Sequence, residues 1–193
     1  ATSTETQIIK QASKMIQQGA TFLDVGGYSS RPGATDISQQ QEINRVVPAI
    51  EAIIKQFPEA LISIDTFRSE VAKQAVKAGA CMVNDISAGK LDSKMLETIG
   101  ALQIPYIMMH MRGTAQTMKS LTEYQNITKE VLFYFSERIA AARAHNINDI
   151  IVDPGFGFAK NTDQNFELLN HLELFETLDL PVLAGVSRKS MVY

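Results

Sequence analysis

Polar side chains suited to binding a small molecule recur where short apolar runs of the sequence end. Asp65, Asn84, His110 and Asp153 each close or follow such a run, and a cationic segment, residues 187–190, follows another. In proteins built on parallel strands, ligands bind at the carboxyl ends of the strands. Taken alone, each of these residues is as typical of a helix cap or a turn as it is of a binding site. Their recurrence at equivalent positions favours one shared site.

The segment 153–158, Asp-Pro-Gly-Phe-Gly-Phe, combines an acid with a tight turn and two aromatic rings. Glycines let the backbone approach a ligand closely, and the rings are suited to stacking on a planar heterocycle. Lys160 stands where the third glycine of a dinucleotide-binding motif would be, so the segment is not that motif. The alternative is a tight turn with phenylalanines in the core.

Two further segments have the residues to hold an anion. The loop 26–33 contains Ser30 and Arg31, and the segment 186–190 contains adjacent cations and hydroxyls, including Arg188, Lys189 and Ser190. Hydroxyls, guanidinium groups and the start of a helix all donate hydrogen bonds to anions. The alternative for both segments is a solvated surface turn.

Composition excludes several functional classes. A net charge of -3 and a pI near 5.6 provide no general attraction to polyanions, so nucleic acid and acidic membranes are unexpected partners. The lone Cys81, which is typical of a small buried hydrophobe, and the absence of a signal-like start lead us to expect a cytoplasmic protein. The three histidines are scattered, so we expect no metal site in this chain. His110 is equally compatible with catalysis and with a satisfied, partly buried position.

Apolar runs alternate with segments of helical period, which is typical of strands and helices arranged around a parallel sheet. Helices are expected over 37–57 and from near Glu5, Ser69, Asp92, Thr122 and Thr162, with Gly19 and Gly79 ending two of them. The predicted strands, mostly continuous apolar runs, are residues 21–25, 61–65, 81–85, 104–109, 150–153 and 182–185.

This order predicts an α/β fold, a (β/α)₈ TIM barrel of which strands 2 to 7 are visible. Residues 1–193 would then form a single barrel domain that is incomplete at both ends. An open doubly wound sheet is the alternative, because six parallel strands also suit that architecture.

Six ordered motifs resemble the strand-end motifs of the dihydropteroate synthases: DVGGYSSRPGA, SIDTFRSEVAKQAVKAGA, MVNDISAG, MMHMRGTAQTM, IIVDPGFGFAKN and AGVSRKSM. The resemblance implies a pterin pocket and catalytic roles for Asp65, Asp153 and Lys189, both acids being ionised. It implies that Ser30 and Arg31 lie in a mobile loop over pyrophosphate and p-aminobenzoate, and that Ser190 beside Arg188 holds the p-aminobenzoate carboxylate. The remaining implied pocket residues are Asn84, Ile86, Met109, Phe158 and Gly185.

The family condenses a dihydropterin pyrophosphate with p-aminobenzoate in folate biosynthesis, uses Mg²⁺, forms homodimers and is a target of sulfonamides. The resemblance implies these properties here, although the family's N-terminal asparagine motif and C-terminal Arg-x-His segment are not in this sequence. Tyr28 also stands where many members have glutamate. Two alternatives are a methyltetrahydrofolate-dependent corrinoid methyltransferase of the same barrel family and a non-catalytic pterin-binding protein.

Overall fold

The computed structural model describes residues 4–29, 36–114, 117, 120–189 and 191–192, and its centre is one sheet of five parallel strands. The strands are β1 (Phe22–Gly26), β2 (Leu61–Asp65), β3 (Met82–Asp85), β4 (Tyr106–Met109) and β5 (Ile150–Asp153). The helices are α1 (Glu5–Gln17), α2 (Gln39–Gln56), α3 (Ser69–Ala78), α4 (Met95–Leu102), α5 (Ile127–Ala144) and α6 (Thr162–Asn170), followed by a 3₁₀ helix (Leu172–Leu178).

The strands follow one another across the sheet in chain order, from β1 to β5. Consecutive helices also pack side by side, α1 on α2, α2 on α3 and so on to α6. A doubly wound sheet would reverse its strand order at a switch point, and no reversal occurs among these five strands. The arrangement is that of the (β/α)₈ barrel class.

The sixth predicted strand, residues 182–185, is reduced to an isolated parallel bridge between Val152 and Val182. Its backbone makes two hydrogen bonds with β5: Val152 N–H donates to Pro181 O at 3.0 Å, and Leu183 N–H donates to Val152 O at 2.9 Å. A ladder of this length, with no neighbouring strand on its far side among the described residues, is too short to count as a strand.

Helix starts follow from side-chain caps. Thr4, Ser38 and Asn161 each form a capping box with the glutamine three residues further on, which satisfies backbone N–H groups that a helix leaves free. The expected helix starts near Glu5 and Thr162 are confirmed, and the helix predicted over 37–57 is Gln39–Gln56. Gly19 and Gly79 follow helix ends with φ of +92° and +122°, as expected.

Two expected helix starts are wrong. The Asp92 carboxylate accepts hydrogen bonds from the N–H groups of Ser69 and Lys94, so it links two helix starts and α4 begins later, at Met95. Thr122 precedes α5 by several residues, because Asn126 caps that helix through the N–H of Lys129. At α5 a nearby polar residue, Asn126, therefore caps the first turn in place of Thr122, whereas α4 begins after Lys94 without a side-chain cap.

The two faces of the sheet differ in polarity. On one face, alternate residues of every strand, such as Ile62, Ile64 and Tyr106, join the main hydrophobic core beneath the helices. The other face, called the site face below, carries Asp24, Ser63, Asp65, Asn84, Ile107, Met109, Ile151 and Asp153. The strands therefore alternate more than their apolar composition predicts, and their polar residues gather on one side. Among the described residues, no helix is long and apolar enough to cross a membrane.

Candidate functional site

Strand register brings the predicted polar site residues together on the site face. Asp65 is aligned with Asn84, and Asn84 with Ile107. Two residues beyond Ile107, Met109 is aligned with Asp153. Since alternate residues of a strand face the same way, Asp65, Asn84 and Asp153 project from the same side at the carboxyl ends of their strands. The sequence-based prediction of a shared rim is therefore confirmed for these residues.

Asp24, Asp65 and Asn84 form what we call the acidic corner. Asn84 Nδ2 donates to Asp24 Oδ2 at 3.2 Å, which joins β3 to β1 across the face of β2. Asp65 is half-buried and Asp24 is exposed, and protein atoms pack around both carboxyl groups. Desolvation, followed by the charges of Asp24, Asp85 and Glu42, raises the pKa of Asp65 to about 8.

The raised pKa favours the protonated form of Asp65 in the unliganded chain, against the expected ionised form. Its neighbours are other carboxyl groups, and close like charges disfavour ionisation. Desolvation also raises the pKa of Asp24, although the hydrogen bond from Asn84 acts to lower it. A cation placed at this corner would reverse the balance, because it would favour the charged form of both acids.

Asp153, Lys160 and Lys189 form what we call the lysine corner. Asp153 is buried, and its Oδ1 accepts from Gly155 N at 2.8 Å, while its backbone O accepts from His110 N at 2.9 Å. Burial raises the pKa of Asp153, and the hydrogen bond from Gly155 and the charges of the two lysines oppose that rise. The carboxylate of Asp153 thus has cationic neighbours, whereas Asp65 has acidic ones.

The predicted apolar walls also come together. Ile86 and Met109 belong to a small buried cluster that is separate from the main core, and Phe158 packs against it. Lys189 Nζ lies 4.3 Å from the centroid of the Phe158 ring in a cation–π contact, and it also interacts electrostatically with Asp153. A flat ring system would therefore meet apolar surface beside a carboxylate and an ammonium group.

The remaining predicted residues are less closely joined to the site. Gly185 is half-buried, with open space where a Cβ would lie. Arg188 is exposed and has φ of +58°. Ser30, Arg31 and Ser190 lie outside the described residues, so their predicted contacts with anions stay predictions.

Sequence reasoning missed three residues of this region. Asp24 interrupts an apolar run in the middle of β1, which is itself a signal for a polar site face. Glu42 occupies the same helical stripe as Val46 and Ile50, is fully buried, and accepts from Thr66 Oγ1 and from Arg68, both at 2.7 Å. Lys160 had no distinctive signal beyond its place after the glycine turn.

His110 is a buried, satisfied residue, one of the two interpretations left open by the sequence. Its Nδ1 lies 3.0 Å from Lys160 Nζ, and its ring packs edge-on against Tyr134 with centroids 4.8 Å apart. Burial, with the charge of Lys160 next in importance, lowers the pKa of His110 to about 2, so the imidazole is neutral.

A separate groove of about 1320 Å³ lies on the far side of His110, lined by residues of mixed charge such as Lys90, Arg112 and Glu130. It contains none of Asp65, Asn84 and Asp153. We therefore place the candidate site at the strand-end rim, where acceptors, donors and apolar walls converge, rather than in the larger groove.

The rim has the chemistry to recognise a planar, nitrogen-rich heterocycle. A carboxylate accepts two adjacent N–H groups, and an amide such as Asn84 both donates and accepts. A sheet with sequential parallel strands and a polar strand-end rim defines the barrel class of small-molecule-binding α/β proteins. The chain belongs to the family of pterin binding enzymes, whose model matches residues 2–193.

Similar proteins are dihydropteroate synthases. The Synechocystis enzyme is 44% identical over 186 residues, which cover 95% of this chain and 64% of the relative. The Escherichia coli K12 enzyme is 42% identical, with 95% and 65% covered. This chain therefore spans about two thirds of the length of these curated relatives.

Solved structures agree with the sequence relatives. A Yersinia pestis dihydropteroate synthase in complex with a sulfonamide drug has a TM-score of 0.94 and 37% identity, covering 99% of this chain and 70% of that one. The Xanthomonas albilineans enzyme with 4-aminobenzoic acid has a TM-score of 0.88 and 39% identity, covering 95% and 65%. The family resemblance inferred from the motifs is confirmed.

Proposed function

We propose that this chain is the pterin-binding part of a dihydropteroate synthase. The activity would condense (7,8-dihydropterin-6-yl)methyl diphosphate with p-aminobenzoate to give 7,8-dihydropteroate and pyrophosphate. The observation that carries the proposal is the convergence of Asp65, Asn84 and Asp153 on one strand face, with Lys189 beside Asp153. The names of the relatives favour this activity over the corrinoid methyltransferase.

In the proposed binding mode, Asp153 accepts the two adjacent N–H groups of the 2-amino-4-oxopyrimidine edge. Asn84 supplies a donor and an acceptor, and Lys189 donates to a ring oxygen or nitrogen. The pterin ring packs between the small apolar cluster, Ile86 and Met109, and the ring of Phe158. The pairing of the pyrimidine edge matters because an unpaired buried polar group weakens binding.

In the proposed reaction, the C–O bond between the pterin methylene and the diphosphate breaks first, and pyrophosphate leaves with the electron pair. The amine of p-aminobenzoate then forms the C–N bond and loses a proton. As the positive charge develops on the pterin, it favours ionisation of Asp65, whose carboxylate and that of Asp153 stabilise the cation. Serine and arginine side chains at positions 30, 31, 188 and 190 would hold the anionic groups.

Mg²⁺ is the metal implied by the resemblance, and it would neutralise the leaving pyrophosphate. The described residues contain no group of three or more His, Cys, Asp or Glu side chains that could hold a metal ion. No step above depends on the metal.

The remaining properties rest mainly on the family. We propose a homodimer in the cytoplasm, with residues 1–193 as a single domain and with sulfonamides as competitors of p-aminobenzoate. The Yersinia pestis relative was solved with a sulfonamide drug, which supports the last of these proposals. The unpaired Cys81, the chain's single cysteine, is consistent with a reducing compartment.

The test is calorimetric titration of the chain with a pterin, comparing Asp153→Asn with the matched control Asp149→Asn at the other end of β5. Asp149 is exposed, so its variant should bind like the unmodified chain. Loss of the charged acceptor in Asp153→Asn should weaken pterin binding by at least about tenfold. Equal affinities in folded samples would contradict the pterin role, and an active protein should release pyrophosphate only when both substrates are present.

A further inference from the structure

Lys160 is a buried lysine that the proposed reaction does not use. Only 8% of its surface is exposed, and its Nζ lies 3.0 Å from each of three acceptors. These acceptors are His110 Nδ1, at the end of β4, and the backbone O atoms of Gly155 and Phe158, in the loop after β5. One ammonium group therefore joins two neighbouring strand ends.

The acceptors of Lys160 belong to residues that shape the candidate pterin pocket. Gly155 also donates its N–H to the carboxylate of Asp153, and His110 donates its N–H to the backbone O of the same residue. Phe158 supplies the ring beneath Lys189. The lysine thus contacts both partners of Asp153 and one wall of the pocket without being placed to touch the ligand itself.

The number of partners matches the charged form of the side chain. An ammonium group has three N–H donors for its three acceptors, whereas a neutral amine has two. His110 can serve as an acceptor because its imidazole is neutral, and the proton of the ring then resides on Nε2. Deprotonation of Lys160 would leave two donors, so all three contacts would persist only if the ring proton of His110 moved to Nδ1 and that nitrogen became the donor.

Burial, with the charges of Arg112 and Lys189, lowers the pKa of Lys160 to about 7, and Asp153 opposes this shift. With the ring proton of His110 on Nε2, the three contacts require the charged form of Lys160, so ionisation of Lys160 near neutral pH is linked to the shape of the loop. The other charged or titratable groups around the pair are Lys90, Tyr124 and Tyr134.

We propose that Lys160 is a positioning residue that, with His110 as its neutral acceptor, holds the loop 154–160 in the shape that binds pterin. This inference rests on the proposed function for its ligand. The loop requires such an anchor because Gly155, Gly157 and Ala159 all have positive φ, of +70°, +78° and +49°. For alanine this conformation is strained, and internal hydrogen bonds must maintain it.

The experiment compares pterin affinity, measured by calorimetry at pH 6 and pH 8, for the unmodified chain, Lys160→Met and the control Lys73→Met. Methionine keeps the length and packing of the side chain but removes all three donors, and Lys73 is exposed on α3. Lys160→Met should bind about tenfold more weakly at pH 6, since it loses bonds to buried acceptors. Lys73→Met should match the unmodified chain.

The pH comparison separates positioning from a general structural role. Affinity of the unmodified chain should fall between pH 6 and pH 8, and Lys160→Met should lack the part of this fall that is due to the lysine. Rescue is tested with Lys160→Cys in a Cys81→Ala background, alkylated with bromoethylamine to restore an ammonium group. Restored affinity supports the proposal, and equal affinity and pH dependence of Lys160→Met and the unmodified chain overturn it.

A second readout needs neither pterin nor a variant. Amide hydrogen exchange at Gly157 and Phe158, whose N–H groups bond within this region, should lose protection between pH 6 and pH 8 after correction for chemical exchange. Amides of α3 should not. If the unmodified chain binds no pterin, the proposed function fails, but this readout still decides whether Lys160 orders the loop. Unchanged protection at both amides would overturn the proposal.

Discussion

The two carboxylates expected to stabilise the same cation lie in opposite surroundings. In the acidic corner, desolvation and then the charges of the surrounding acids raise the pKa of Asp65 to about 8. Asp153, in the lysine corner, accepts from a backbone N–H and has two lysines nearby, which oppose the effect of burial. Residue type alone therefore does not determine charge at this rim.

The contrast indicates different roles within one pocket. The lysine corner is closely linked by hydrogen bonds before ligand arrives, so it is suited to fixing the orientation of the pterin edge. In the acidic corner the raised pKa of Asp65 favours its protonated form, and positive charge beside it would favour the carboxylate instead. We therefore infer that binding depends mainly on Asp153 and that the response to developing charge depends mainly on Asp65.

Glycine substitutions at the two corners should show the largest difference in the free energy of unfolding. A Cβ on Gly155 would lie 2.2 Å from the backbone O of His110 at φ of +70°, whereas one on Gly26 would meet Asp65 at an ordinary 3.4 Å. Gly155→Ala should lower the free energy of unfolding by about 3 kcal/mol, since both strain and a backbone clash oppose it. Urea unfolding measures this change.

Gly26→Ala is the matched control for that experiment, with an expected loss below about 1 kcal/mol. A similar loss at both glycines would show that the lysine corner is no more constrained than the acidic corner. The contrast between a rigid and a responsive corner would then be wrong.

The second effect concerns the pH dependence of stability. A carboxyl group whose pKa is 3.8 when unfolded and about 8 when folded stabilises the fold in its protonated form. That stabilisation is complete below pH 3.8 and is lost as pH rises toward 8. From Asp65 alone the unfolding free energy should fall by up to about 1.4 kcal/mol per pH unit in this window.

Asp65→Asn replaces the acid with a group that resembles its protonated form, so most of this slope should disappear. Chemical unfolding between pH 5 and pH 8 measures it, with Asp149→Asn, at an exposed position, as the control. A slope that is unchanged in Asp65→Asn would show that the carboxyl group is already ionised in the folded chain.

Much of this arrangement could be predicted from the sequence because the signals are local. Apolar runs marked the five strands, and polar residues at their ends marked the rim, as at Asn84 and Asp153. The prediction of a sixth strand was wrong because strand formation depends on neighbouring strands. The backbone around Val182 forms hydrogen bonds with β5 alone among the described strands.

The electrostatics of the corners could not be predicted in the same way. Glu42 lies near the start of α2, where the sequence is polar and typical of a surface helix. Its side chain is nevertheless fully buried against Thr66 and Arg68. Whether Asp65 is protonated depends on charges contributed by three other segments of the chain. Such long-range pairs produce no recognisable spacing in the sequence. A charged residue on the apolar face of a helix, however, does indicate that its side chain is buried with a partner.

The smallest expected effect tests whether Tyr124, in addition to Lys160, stabilises the loop of the lysine corner. Tyr124 donates its hydroxyl to Ala159 O at 2.9 Å, and its ring lies 3.7 Å from the guanidinium carbon of Arg112. Tyr124→Phe keeps the ring contact and removes one hydrogen bond, so the free energy of unfolding should fall by about 1 kcal/mol.

Hydrogen exchange should locate this small loss. Protection should decrease at Gly157 and Phe158, in the lysine corner, and stay constant at Thr66, whose N–H donates to Asn84 O beside the acidic corner. A decrease at Thr66 of the same size would mean that the two corners are mechanically coupled. In that case Asp65 and Asp153 could not be tuned separately, because a substitution that loosens one carboxylate would also move the other.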